Sequence, residues 1–215
     1  MNKFKCLKCG KCCHNVILKG YERYIPIYLD EIHKYTKMAE EKNLNLHLEP
    51  DLLYPDVINK KLIIVTYVFK FKDVCVFYKE NFGCTIYKDR PITCKAYPVS
   101  IWTDHKKSPL DPILTVPIYL MSVNVDCKFV EQESHLVHMK NYMELKDFFP
   151  DEYNQAMKLM IKGKEILYRL IELETQKKID VGYLSGKLDF FYDVEKAEVE
   201  YKNWEKINLY DIKLD

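Results

Sequence analysis

Residues 6–13 read C-L-K-C-G-K-C-C, placing Cys6, Cys9 and Cys12 at CxxC steps with Cys13 directly after. A thiolate is a soft, metal-seeking ligand, and each CxxC step lets two sulfurs converge on one ion or cluster. The stretch therefore offers three sulfurs to a common point, with a remote cysteine to close the shell. Gly10 lies inside the second step, where a positive φ lets the chain curl its amides toward sulfur. Cys75, Cys84 and Cys94 follow in a second segment, and Cys127 completes a set of eight. They predict a cysteine-rich metal-binding core.

Compartment chemistry supports metal over disulfides. Met1 is followed by Asn2 and Lys3 and then by the cysteines, with no apolar h-region, so the expectation is no signal peptide and a cytoplasmic protein. There thiols stay reduced and clustered cysteines bind metal. The even count and a disulfide framework are compatible, but the adjacent Cys12-Cys13 pair and the size of the chain argue against one. With 215 residues, 48% of them hydrophobic, the chain buries a core without needing metal merely to fold.

Net charge is +1, from 33 basic and 32 acidic side chains, so no bulk field draws the chain to nucleic acid. Arg23, Arg90 and Arg169 are its only arginines, too few for a guanidinium-based phosphate surface. The longest apolar runs, Leu62 to Phe69 and Val116 to Val123, are too short to span a bilayer. The six glycines contain no G-x-G and no G-K-[ST] arrangement, which argues against a Rossmann nucleotide site and a P-loop.

The rest of the chain reads as α+β. Residues 1–20 form a cysteine loop. Pro26 reads as an early helical position, with Ile25, Tyr28, Leu29, Ile32 and Tyr35 spaced for an amphipathic helix to about Lys42. Asp51 to Asp56, flanked by Pro50 and containing Pro55, reads as a loop. Leu62 to Phe71 is β-branched and aromatic and predicts one strand. Cys75 to Tyr78 and Thr85 to Tyr87 flank Asn81-Phe82-Gly83, a hairpin turn. Asp89 to Pro98 predicts a short helical turn with an extended exit, and Val116 to Val125 another strand. Beyond Ser134, Leu136 to Leu145 predicts a helix ended by Pro150, and Tyr153 to Ile171 a longer one. The tail past Asp180 alternates weakly (Leu188, Phe190, Tyr192; Val199, Tyr201) and predicts a late hairpin. The expected division is a cysteine-cluster domain over 1–130 and a mainly helical extension over 131–215 packed on it.

The second cysteine segment, C-V-F-Y-K-E-N-F-G-C-T-I-Y-K-D-R-P-I-T-C-K-A-Y-P from Cys75 to Pro98, carries a resemblance. Together with C-L-K-C-G-K-C-C it resembles the CxxCxxCC (YkgJ-like) family of zinc- or iron-chelating proteins, over about residues 4–98. Gly83, Cys84, Ile86, Tyr87, Arg90, Pro91, Cys94, Tyr97 and Pro98 match that family's second motif, with Lys95 where the family has arginine. The flagellin lysine methylases carry a similar pattern. That more distant resemblance implies S-adenosylmethionine-dependent N-methylation of protein lysine, with a protein substrate, as one activity.

A CxxCxxC triple with a distant fourth thiolate is how ferredoxin-type [4Fe–4S] clusters are held. Structural zinc more often uses two CxxC pairs, and Cys75, Cys84 and Cys94 form none. Iron–sulfur is favoured, with zinc the alternative, because Cys13 stands where a ferredoxin run continues differently. Eight thiolates exceed what one cluster takes: either there are two metal sites or one cluster with spare cysteines. The N-terminal cysteines should lie close to at least one of Cys75, Cys84 and Cys94, while Cys127 is either a ligand or a buried small hydrophobe. Arg90, four residues before Cys94, is expected beside the site, as are Tyr87 and Tyr97. The plain alternative for Arg90 is a salt bridge to Asp89 or a nearby acid. His14 reads as a neighbour of the site; His135 and His138 read as surface. Three classes of function remain: a structural or electron-relaying metal protein with a redox partner, the methylase, and a metal store. Ligands woven between a loop, a hairpin and a helical turn disfavour the store.

Overall fold

The computed structural model describes residues 3–14, 25–107, 115–133, 135–136, 142–187 and 194–214. In chain order these carry β1 (Ile25–Tyr28), α1 (Ile32–Glu41), β2 (His47–Pro50), β3 (Leu53–Asp56), β4 (Lys61–Ile64), β5 (Thr66–Lys70), β6 (Tyr78–Lys79) and β7 (Gly83–Cys84). There follow α2 (Ile92–Ala96), β8 (Val99–Lys107), β9 (Thr115–Val123), α3 (Lys128–Gln132), α4 (Tyr142–Phe148), α5 (Pro150–Thr175), α6 (Val194–Glu200) and β10 (Glu205–Asn208). The class is α+β.

Two small sheets organise the middle of the chain. One has the order β1-β5-β2, antiparallel throughout; the other has the order β10-β4-β3, with β10 parallel to β4. The run 62–71 is therefore two strands, not one. They part at Val65, which is fully buried and gives its amide to the Leu52 carbonyl at 3.0 Å, so each half joins a different sheet. Both faces of β4 are covered: Ile63 packs with Leu170 and Leu173 of α5, Leu62 and Ile64 with Ala197 of α6.

Three expectations are corrected here. Ile25–Tyr28 is a strand and the helix starts only at Ile32, because Ile25 and Ile27 alternate inward against β5 while Pro26, lacking an amide, sits on the sheet's edge. Residues 51–56 are not all loop: β3 is an edge strand that accommodates Pro55 for the same reason. In the tail, Leu188, Phe190 and Tyr192 lie outside the described residues, whereas Val199 belongs to α6 and the following strand pairs with β4, not with a hairpin partner.

The hairpin β6–β7 forms across Asn81-Phe82-Gly83, with Asn81 at φ 65° and Gly83 at φ 80°. The helical turn before Pro98 is α2, and the Val116 strand is β9. Of the helix expected over Leu136 to Leu145, Tyr142 to Leu145 lie in α4, Leu136 is buried in the core before it and not in that helix, and Met139 lies outside the described residues. Pro150 then opens α5, about 39 Å long at 1.5 Å per residue. Its first half places Ala156 in a core with Ala96, Val99, Val123, Cys127, Leu145 and Phe149; its second half carries Leu170 and Leu173 into a core with Ile63 and Val65. A third core joins Ile25, Ile27, Tyr35, Phe69, Phe77 and Ile86 with Cys75. No helix among the described residues is long and apolar enough to cross a membrane.

Candidate metal centre

The N-terminal loop is built to hold its cysteines in place. Phe4 gives its amide to the Phe148 carbonyl at 2.8 Å and packs edge-on against Phe129, which anchors the loop's entry. Lys8 and Gly10 take positive φ values of 54° and 75°, reversing the chain twice within the motif. Lys11–Cys13 is a single 3₁₀ turn, closed by the Cys13 amide on the Gly10 carbonyl at 2.7 Å. His14 then pairs with Val74 as an antiparallel bridge, and the Cys75 amide donates to the Cys13 carbonyl at 2.8 Å.

Side chains complete the docking of the two cysteine segments. A Cβ at Gly10 would lie 2.5 Å from the Tyr78 ring, so only glycine lets β6 approach. Gly83 faces the Lys8 side chain, its position for a Cβ 3.2 Å from Lys8 Cβ. His14 is not at the centre: its Nδ1 is 2.8 Å from the Gly10 carbonyl and its ring stands edge-on to Tyr78 at 5.0 Å.

All eight cysteines line one cavity of about 60 Å³. Arg90, Tyr87 and Tyr97 line it too, so every residue the sequence placed at the site is brought together. The wall also holds Lys8, Lys11 and Lys128, for which no motif gave a signal. Among the described residues, no three His, Cys, Asp or Glu side chains stand as a ready-made group around one ion. His135 is exposed beside Glu133 and Phe148, away from the cavity; His138 lies outside the described residues.

The thiols differ in surroundings. Cys9 is exposed and Cys6 half-buried, whereas Cys75 and Cys127 are buried. Burial pushes the Cys75 thiol up to about 11, and it raises Cys84, Cys94 and Cys127 as well. Cys13 is raised first by its contact with Cys12, whose Sγ is 3.9 Å away, and then by burial. Against burial, backbone amides aim at sulfur. Lys8 N–H donates to Cys6 Sγ at 3.4 Å, Phe77 N–H to Cys75, Ile86 N–H to Cys84, and both Phe129 and Val130 N–H to Cys127. The donors on Cys75, Cys84 and Cys127 favour the thiolate, the form that binds metal.

Arg90 is fixed over Tyr87. Its guanidinium carbon is 3.9 Å from the ring centroid and its Nε donates to the Tyr87 carbonyl at 3.0 Å. Asp89 pairs with Lys34 at 3.5 Å, so of the plain alternatives for Arg90 the one with Asp89 is not formed, while Glu152 is an acid that feels its charge. The Arg90 charge favours the thiolates of Cys84 and Cys94. α2, which carries Cys94, is held from outside: Glu31 accepts the Ile92 amide at 3.0 Å, and Thr93 Oγ1 donates to the Pro26 carbonyl at 2.9 Å. On the opposite wall Lys11 and Glu131 pair at 2.8 Å, tying the cysteine loop to α3 just after Cys127.

A cavity walled by eight thiols, with amide donors and cations arranged around them, fits a soft metal and little else. No curated protein and no solved structure matches the chain. Residues 5–112 match the CxxCxxCC family, described as a "Putative zinc- or iron-chelating domain", and with half of its length so matched the chain belongs to that family.

Proposed function

We propose that the chain is an iron–sulfur protein, holding a [4Fe–4S] cluster through Cys6, Cys9 and Cys12 with Cys127 as the fourth thiolate. The supporting observation is that the CxxCxxC loop and Cys127 line the same cavity, strapped together by the Lys11–Glu131 pair. A local triple closed by one remote cysteine is the ferredoxin pattern of ligation. The donor set fits the group: four soft sulfurs, with amide donors on Cys6 and Cys127.

Bound there, the cluster supplies one-electron chemistry or a rigid node. The chain's own residues set which. Cys127 is buried beneath the Phe4–Phe129 pair, which keeps water from one side. Cys9 is exposed on the other side. Lys11 and Lys128 in the wall offset part of the negative charge of thiolate ligands. An edge open at Cys9 suits electron exchange with a redox partner, the role we assign.

Anaerobic purification should give brown protein with iron and acid-labile sulfide in comparable amounts, bleaching in air. Colourless protein carrying zinc alone would overturn the cluster and leave a thiolate metal site.

A further inference from the structure

We infer that the surface around Lys8 and Gly83, at the exposed edge of the cysteine cavity, is the docking face for an acidic one-electron carrier protein. The inference rests on the cluster reading and names the class of redox partner that this edge receives.

The face is built where the cysteine loop meets the β6–β7 hairpin. The position for a Cβ on Gly83 is 3.2 Å from Lys8 Cβ and 3.4 Å from the Lys8 carbonyl, so the two turns lie against each other. Directly before that contact each turn carries an exposed apolar side chain: Leu7 is 46% exposed and Phe82 70%. Among the described residues neither packs into a hydrophobic core. Cys9, one step beyond Lys8, is also exposed and belongs to the cavity wall.

Charge says what covers this face. Lys5, Lys8 and Lys79 are exposed, and among the described residues no carboxylate pairs with them. Lys79 stands over the Phe82 ring at 5.0 Å, so a cation flanks the apolar anchor. Glu80 is the one acid in residues 5–9 and 79–83, leaving an excess of two positive charges there on a chain whose whole net charge is +1. An apolar centre with a charged rim is the anatomy of a protein interface, and small interfaces of this kind suit brief electron-transfer encounters. The lysines steer a partner of negative surface onto the Cys9 edge. The step there is a single electron: the carrier is oxidised by one, the group held by the thiols is reduced by one, and no bond or proton moves. Anionic lipid would attract the same lysines. A protein is favoured because the apolar part is two side chains on separate turns with Glu80 beside them, unlike the continuous apolar face of an interfacial helix.

The test titrates the full, anaerobically purified chain with an oxidised plant-type [2Fe–2S] ferredoxin, an acidic one-electron carrier, and reads the affinity. Binding should weaken about tenfold or more between about 20 and about 200 mM salt. Lys5→Glu/Lys79→Glu should weaken it about tenfold at low salt. Phe82→Ser should weaken it several-fold and keep the salt dependence. Iron and sulfide should be unchanged in both variants, since neither alters the cavity wall. Lys177→Glu/Lys202→Glu makes the same change in net charge at exposed positions on the turns after α5 and α6, and should bind as the wild type does. No binding at low salt, or an equal loss in the two lysine pairs, would overturn the docking face. Binding to phosphatidylserine–phosphatidylcholine vesicles and not to the ferredoxin would overturn it in favour of a membrane. Should the chain hold no iron and sulfide yet bind the ferredoxin through Lys5 and Lys79, the cluster reading fails and the docking face stands.

Discussion

The Cys75 amide donates to the Cys13 carbonyl at 2.8 Å, joining two cysteine segments that are far apart in sequence. With the adjacent His14–Val74 bridge it makes a short antiparallel pairing at the floor of the cavity. One such hydrogen bond contributes only about 1 kcal/mol net, yet its geometry decides which sulfurs face one another. Backbone contacts thus join the ligand loop to the second cysteine segment.

Gly10 is the most sensitive position of that arrangement. Its φ of 75° strains any L-residue, and a Cβ would meet the Tyr78 ring at 2.5 Å. Gly10→Ala should cost about 1 to 3 kcal/mol in denaturant unfolding of the metal-free protein. Shrinking the ring as well, in Gly10→Ala/Tyr78→Leu, should recover the steric part of the loss relative to Tyr78→Leu alone, but not the strain of the positive φ. A cost below about 0.5 kcal/mol for the single change would show that the loop tolerates another path.

Much of the site is legible in the order of residues alone. Ligand chemistry is written locally in C-L-K-C-G-K-C-C, and the hairpin turn in Asn81-Phe82-Gly83, because spacing and positive φ are properties of neighbouring residues. The docking of the second cysteine segment is not legible in this way, since the Cys75 amide and the Cys13 carbonyl that join the two segments are far apart in sequence. Ile25–Tyr28 misleads because Ile25, Tyr28, Leu29 and Ile32 satisfy a helical period, while Ile25 and Ile27 satisfy a strand period; the β5 edge decides between them. The break at Val65 and the parallel pairing of β10 with β4 are equally hidden, since both depend on partners distant in sequence.

Alkaline pH should separate the metal-free and metal-loaded forms. Burial raises Cys75 from an ordinary value of 9.0 to about 11, and burial raises Cys84, Cys94 and Cys127 in the same direction. The unfolded chain then loses these protons at lower pH than the folded one. Stability is complete below pH 9 and falls as pH rises toward about 11, with Cys75 alone contributing roughly 2 to 3 kcal/mol. In the metal-loaded protein the thiolates are already ionised, so their share of the loss should vanish. Tyr35, also raised by burial, contributes alike to both forms. Denaturant unfolding on both sides of pH 9 measures the difference; equal losses in the two forms would refute it.

Glu31 links the strand region to the metal site. Its carboxylate accepts the Ile92 amide at 3.0 Å and the Tyr28 amide at 3.4 Å, fixing the start of the helix that carries Cys94. Glu31→Ala should cost about 1 to 3 kcal/mol and hasten metal loss to a chelator. Asp56→Ala is the control. That buried carboxylate accepts the amides of Ile58, Asn59 and Asp180, all outside the cavity wall. It should cost about 3 kcal/mol or more with no change in chelator rate below the unfolding range. Equal chelator sensitivity in both variants would mean that metal retention follows global stability alone.

Lys11 in the cavity wall pairs with Glu131 at 2.8 Å, and both side chains are exposed, so their effect on global stability should be small. Their effect on access should be larger, because the pair joins the cysteine loop to the helix that follows Cys127. Burying neither charge, it is screened by salt, and raising ionic strength should speed metal transfer to a chelator in the wild type. Lys11→Glu should speed transfer at low salt and remove its salt dependence, since like charges then face each other. The double exchange Lys11→Glu/Glu131→Lys should restore slow, salt-sensitive transfer. Failure of the exchange to restore it would show that Lys11 acts on the thiolates themselves and not through Glu131; an unaltered rate in the single variant would remove the pair from any part in access.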